Sequence, residues 1–320
     1  MAASITRKCV LWCVLFIACA ACLNVSQARI VGTFVLPHGG IALAPKYFNT
    51  TNHTAKSEAW ALHNSAEVVG QKISQLRPDV IFLSTPHGIS SLTDFLFYLN
   101  TNAYGVAETD NCDCPPCCYN VTADLDFTLS QHILSELKDN SMNVSGIVGY
   151  GPPGNSEVFP LRWGEVVPLY FALKSHSTEV VILSHPSRRY NHSDEMIPEL
   201  LSLGSFLYQT LNRIDQTVAV VISADLAHTH DKNGPYGYSP DAEPFDKACG
   251  RWATTLNEGD ILDIAAKYVN NALSCGYTGL VMLHGLLRSA DLSTWQPHLY
   301  ANYHPSYYGM MVAEFMPKTW

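Results

Sequence analysis

Hydrophobic positions along this chain change their spacing repeatedly, and each change marks an element. Ile30 to Leu36 predicts a strand. Ala59, Leu62, Ala66, Val69, Ile73 and Leu76 recur at intervals of three and four, which is one face of an amphipathic helix. Asp79 to Ser84 is a β-rich apolar run, bounded by Pro86-His87-Gly88, and a loop region holding a cysteine cluster follows it. Phe127 to Leu137 predicts a helix, Gly146 to Val148 a short strand, and Val166 to Leu173 a helix with Pro168 near its start. Val180 to Leu183 predicts a strand, Leu200 to Ile214 a helix, and Val218 to Ile222 a strand. Helices follow around 243–257, 259–269 and 277–288, and the aromatic segment Leu299 to Phe315 is β-like. This alternation argues for an α/β sheet with helices on its faces. With no internal repeat and no low-complexity linker, one domain over 29–320 accounts for the pattern.

Composition adds a compartment. The chain has 320 residues, 47% hydrophobic and only 15% charged, ample for a large core. Arg7 and Lys8 precede an apolar run from Val10 to Leu23, and Ser26-Gln27-Ala28 is a small-x-small cleavage site. Residues 1–28 are therefore expected to be a signal peptide, with a mature chain starting at Arg29. The run falls short of the ~20 residues that span a bilayer, which favours cleavage over a retained anchor. The expected destination is the secretory pathway, ending outside the cell or in a lumenal organelle. Five sequons fit that route and predict glycosylated, solvent-facing loops at Asn49, Asn52, Asn120, Asn143 and Asn191. Four of the ten cysteines leave with the leader. Of the six that remain, Cys112, Cys114, Cys117 and Cys118 are expected to form two disulfides stapling a loop. The alternative is a metal knuckle, but thiols in an oxidising compartment tend to oxidise. The net charge of −9 becomes −11 once Arg7 and Lys8 are removed. Such a surface repels nucleic acid and anionic membranes.

Three predicted strands end in histidine-bearing turns. These are Val35-Leu36-Pro37-His38-Gly39-Gly40, Leu83-Ser84-Thr85-Pro86-His87-Gly88 and Val221-Ile222-Ser223-Ala224-Asp225-Leu226-Ala227-His228-Thr229-His230. Ligands of open α/β sheets bind beyond the carboxyl ends of strands, so residues distant in sequence can converge there. Proline before His38 and His87 fixes each turn, and glycine after it lets backbone come close. Two neutral imidazoles suit iron, copper or zinc. A lone histidine after a strand is more often a hydrogen-bonded loop residue; the repeated Pro-His-Gly context is what points to a shared metal. His230, His284 and His304 are weaker candidates: a loop residue, a core residue and a residue of an aromatic strand face.

The Pro-His-Gly turn after the first strand and the stretch 78–87 resemble the two histidine-ligand motifs of the class III (LigB-type) extradiol dioxygenase and Memo superfamily. Ser223 to His228 resembles the motif that carries that family's catalytic histidine, and Gly164 to Phe171 its central helix. The four lie in the family's order across nearly all of 30–315. The resemblance implies a single α/β domain with a central mixed, mostly parallel sheet flanked by helices. It also implies His38 and His87 as metal ligands, His228 as acid/base, and Asp225 as the residue orienting this region.

Two departures bear on function. Where the family places a carboxylate ligand, Leu273 to Leu280 holds no Asp or Glu, and Cys275-Gly276 is similar to the Memo branch, where cysteine is the third ligand. A thiolate at a helix N-terminus is expected to have a lowered pKa. A Cys249–Cys275 disulfide is the alternative and would remove that ligand. In addition, Arg162-Trp163-Gly164 replaces the Asp-His-Gly turn of the dioxygenases. Trp163 cannot transfer a proton but could stack on an aromatic ligand, and Glu165 is a candidate replacement acid. The expected cofactor is Fe(II) or Cu, ahead of zinc. The expected activity is oxidation of a small aromatic or phenolic substrate. The alternatives are a Memo-like, non-ring-cleaving copper or iron protein, or a catalytically inactive secreted binding protein. Self-association stays open.

Overall fold

The seven residues Ile30–Leu36 form β1, and all seven are buried. That is the mark of a strand covered on both faces, and it extends through the centre of the sheet. The computed structural model describes residues 29–109, 112–175 and 177–318, without the side chain of Asn191. The expected signal peptide lies outside the described residues. The other strands are β2 (Val80–Thr85), β3 (Phe95–Tyr98), β4 (Asn102–Ala107), β5 (Tyr119–Asp124), β6 (Val144–Ile147), β7 (Val158–Leu161), β8 (Glu179–Ser184), β9 (Val218–Ser223), β10 (Trp295–Tyr303) and β11 (Met310–Pro317). The helices are α1 (Gly40–Leu43), α2 (His53–Leu76), α3 (Phe127–Asp139), α4 (Trp163–Ala172), α5 (Arg189–His192), α6 (Ile197–Leu211), α7 (Ala242–Thr255), α8 (Ala266–Ala272) and α9 (Tyr277–Ser289).

Eight strands form one sheet in the order β10-β11-β1-β9-β2-β8-β3-β6. Its centre, β1-β9-β2-β8, is parallel. The β10–β11, β11–β1 and β8–β3 pairs are antiparallel. The expected single α/β domain with a mixed sheet is thus the one observed. Alternate residues of the central strands point into two separate cores. Val80, Phe82, Val181, Leu183, Val218, Val220 and Ile222 pack under α3, α6, α7 and α9. Ile81, Leu83, Val180, Ile182, Ala219 and Val221 pack under α2 and α4. The helix α6 crosses α9 where Gly204 and Gly285 meet the facing backbone: a Cβ on Gly204 would overlap the Met282 carbonyl oxygen.

The segment expected to be a loop holds three strands. Residues 88–126 contain β3, which joins the main sheet, and β4 and β5, which form a small sheet with β7 in the order β5-β4-β7. β3 is only four residues long, too short to display a period. β4 alternates buried and exposed positions, but its buried residues are Ala103, Gly105 and Ala107, too small to stand out as hydrophobic. Between β4 and β5, Cys112 pairs with Cys117 and Cys114 with Cys118, two disulfides among the four cysteines expected to form them. Asn49, Asn52, Asn120 and Asn143 are all exposed. Asn52 also caps α2, its Oδ1 accepting from the Thr54 and Ala55 N–H groups at 3.0 and 3.2 Å.

Candidate metal centre

Sheet register alone brings the first and third motifs together. In the parallel pair β1–β9, Leu36 lies beside Ser223. His38 and Asp225, each two residues further on, therefore emerge side by side. The His38 N–H donates to Asp225 Oδ1 at 3.1 Å. β2 flanks β9 on its other side, and His87, two residues beyond its end, sits with its ring centroid 4.7 Å from that of His38. The start of α9 supplies the third side chain. Gly276 N and Ser274 Oγ both donate to the Asp225 carbonyl, at 3.0 and 3.1 Å, and so seat Cys275 against the β9 loop. Gly276 is required there, because a Cβ would fall 2.5 Å from Ala224 Cβ. Ligand atoms of His38, His87 and Cys275 all lie within 4.8 Å of one another. Cys249 and Cys275 are both free thiols, so the alternative disulfide is not formed.

Hydrogen bonds fix which nitrogen of His38 faces this point. Ser223 Oγ donates its one proton to the Gly164 carbonyl at 2.6 Å and lies 2.9 Å from His38 Nδ1. It can only accept from that nitrogen, so the neutral ring carries its proton on Nδ1 and turns the Nε2 lone pair inward. That lone pair faces Cys275 Sγ at 3.2 Å and Asp225 Oδ2 at 3.3 Å. Electron-rich atoms converging on a buried point are what a cation resolves, and the donor set of two imidazoles and a thiol suits copper, zinc or iron. No carboxylate precedes α9, but that of Asp225, on the loop after β9, stands beside His38. Asp225 contacts His38 through both carboxylate oxygens.

Electrostatics agree with neutral imidazoles. Burial first, then His87, His228 and Arg189, holds His38 well below the usual histidine range. Burial, aided by Arg189, brings His87 down to about 3. The thiol departs from expectation. Burial and the Asp225 carboxylate push Cys275 well above its ordinary value, and the backbone at the helix start does not offset them. A thiolate in this pocket therefore needs a bound cation to displace its proton.

The triad opens onto a cavity of about 270 Å³ lined by His38, His87, Glu108, Trp163, Asp225, His228, Tyr236, Tyr307 and Tyr308. Trp163 begins α4, is 41% exposed, and lays its ring 5.1 Å from that of His87. His228 stacks on Tyr308 with centroids 5.8 Å apart and donates from Nδ1 to the Leu226 carbonyl at 2.9 Å. Burial lowers its pKa to about 4. Glu165 does not line the cavity. It is buried behind the His87 turn, where Oε1 accepts from Tyr98 Oη at 2.6 Å and Oε2 from the Arg162 N–H at 2.9 Å. Two larger hollows, of about 420 and 670 Å³, lie around Arg77–Asp79 and Asn120–Asp124 and hold no cluster of ligands among the described residues.

Sequence reasoning passed over three contributors. Ser223 lay inside a recognised motif without a role of its own. His185 follows β8 directly, the same strand-end pattern as His38 and His87. It is buried, with Nε2 2.8 Å from Ser84 Oγ and Nδ1 2.9 Å from Thr278 Oγ1, and so ties β2 to α9 behind the site. Glu108 gave no signal, because β4, which delivers it, was not recognised.

Known proteins agree with this architecture. Protein CA_C1420 of Clostridium acetobutylicum is 25% identical over 274 residues, covering 80% of this chain and 52% of that protein. The chain thus spans about half the length of that curated relative. The crystal structure of the uncharacterized protein JW3007 from Escherichia coli K12 superposes with a TM-score of 0.52 at 14% identity, over 89% of this chain and 99% of that one, a likeness of fold. Residues 32–313 match the family described as the catalytic LigB subunit of aromatic ring-opening dioxygenase. That match runs from within β1 to within β11 and takes in the loops bearing His38, His87, His228 and Cys275, and the chain belongs to the LigB family.

Proposed function

We propose that this protein is a secreted, metal-dependent oxidoreductase of the ring-opening dioxygenase type that acts on a small phenolic substrate. His38, His87 and Cys275 would hold one iron or copper ion. The observation that carries the reading is the convergence of those three ligand atoms, with the His38 tautomer set by Ser223. A bound ion would supply the electron transfer to dioxygen that no side chain here can. The chain's own groups do the rest. Trp163, Tyr236, Tyr307 and Tyr308 wall the cavity with aromatic faces suited to a flat ring. Its volume of about 270 Å³ admits one small aromatic molecule. His228 is neutral at pH 7 and can accept a phenolic proton as a general base. The apolar leader, four exposed sequon asparagines and two disulfides support secretion.

A second reading is a copper-binding redox protein that does not cleave rings. Two features favour it: the soft thiol donor, and Trp163 standing where a proton-transferring histidine would be expected. One experiment separates the two. Protein secreted from eukaryotic cells is assayed for metal content and for oxygen uptake with a catechol panel, beside His38→Ala. One equivalent of metal, lost in the variant, together with catechol-dependent oxygen uptake, supports the dioxygenase. Metal without uptake moves the assignment to the second reading, and absence of metal from wild type loaded with iron or copper refutes both.

A further inference from the structure

A second group of ligand-type side chains lies outside the cavity. His230, Glu243 and His304 each offer a ligand atom, and these atoms lie within 4.8 Å of one another. They come from three elements: the loop after β9, the first turn of α7, and the turn after β10. His230 is the anchored member. Its Nε2 lies 2.7 Å from Asp246 Oδ2, and Asp246 is buried, its Oδ1 accepting from the Ala227 N–H at 2.9 Å. A carboxylate that accepts from Nε2–H leaves Nδ1 as the lone pair of the neutral ring. This carboxylate–histidine pairing is the arrangement that orients metal-ligating histidines generally. Glu243 lies one turn before Asp246 on the same face of α7. It meets His304 Nε2 at 3.3 Å, and its other oxygen meets Lys247 Nζ at 3.0 Å.

We propose that His230, Glu243 and His304 form a second divalent-metal site of zinc type, with Asp246 as the outer carboxylate and solvent completing the coordination. The two imidazoles stack in the structure, with centroids 3.9 Å apart and planes 1° from parallel. Parallel rings cannot both aim an in-plane lone pair at one ion. Binding therefore swings the two mobile members, His304 and Glu243, whose side chains are 44% and 49% exposed, toward the fixed His230, at 6%. The site would clamp the turn after β10 to the loop after β9. Those two segments carry Tyr307 and Tyr308, and His228, which wall the cavity of the first site. Its role is thus to brace the substrate wall and not to touch the substrate.

The test uses chelator-stripped full-length protein titrated with Zn²⁺ against a chromophoric competitor. His38→Ala is expected to keep one zinc equivalent, and adding His304→Ala to remove it. In the wild-type background, His304→Ala or Glu243→Gln should lower the stoichiometry by one or raise the zinc Kd of one site at least tenfold. Both side chains are about half exposed, so neither substitution should impair folding. Unchanged stoichiometry and Kd in His304→Ala would overturn the proposal. Loss of the site that depends on His38 alone would count only against the first centre.

Discussion

Ser223→Ala isolates the claim that a hydrogen-bond relay sets the His38 tautomer. The hydroxyl makes two buried bonds, at 2.9 Å from His38 Nδ1 and 2.6 Å to the Gly164 carbonyl. Alanine leaves both partners unpaired, each at a penalty of about 1–3 kcal/mol, so the metal-free fold should lose about 2–6 kcal/mol. The effect on metal is separate. Without an acceptor at Nδ1, the His38 proton gains by moving to Nε2, where Asp225 Oδ2 at 3.3 Å would receive it. The lone pair meant for metal is then occupied, and an entering ion must first displace that proton. Loss of an outer partner of a metal-ligating histidine typically weakens binding about 10–100-fold, which is about 1.4–2.7 kcal/mol. Stability is to be read by urea unfolding with a chelator present, and affinity by competitive chelator titration of folded protein. A Kd within twofold of wild type, alongside the expected loss of stability, would refute the relay.

Other consequences follow from the same geometry. Burial raises the Glu165 carboxyl to about 7, from an ordinary value of 4.5. The native state therefore binds more protons than the unfolded chain between those values. The stability that Glu165 itself contributes is full below about pH 4.5, declines as pH rises through about 7, and is lost above it, an effect of about 3 kcal/mol. The buried neutral histidines His38, His87 and His228 act in the opposite sense, gaining stability as pH rises through about 6.5, so the Glu165 contribution is read as a difference. Going from pH 5 to pH 8, wild type should lose about 2–3 kcal/mol relative to Glu165→Gln in urea unfolding, and an equal change in the two proteins would refute it. His228→Asn should reduce turnover about 10²–10⁴-fold with metal content unchanged, since His228 lines the cavity without belonging to the ligand triad. Turnover and metal analysis on one preparation check this, and joint loss of both would place His228 among the ligands. Gly204→Ala sets a methyl group against the α9 backbone and should destabilise the protein by about 1–3 kcal/mol or more, read as a lower urea midpoint.

Much of this was legible in the chain itself. β1 carries the bounds its hydrophobic run predicted, and β2, β8 and β9 lie within a residue or two of theirs, because strands buried on both faces must be apolar throughout. The histidines at the ends of β1 and β2 were conspicuous for the same reason: a polar residue after such a run interrupts a local pattern. What the sequence could not display were relations between strands. That His38 and Asp225 stand side by side follows from the parallel register of β1 with β9. That Ser223 chooses the tautomer depends on Gly164, 59 residues away. The Cys275 thiol was expected to be acidified by its helix, yet burial and a carboxylate from another loop raise it, since desolvation belongs to the assembled core and not to any local motif. Glu165 likewise looked like a stand-in acid until packing turned it behind the His87 turn to Tyr98 and the Arg162 N–H. Local spacing decides what a segment becomes and which residues have the right chemistry. Only the tertiary structure decides which groups face one another and which are dry, and tautomers and charge states at this centre depend on both.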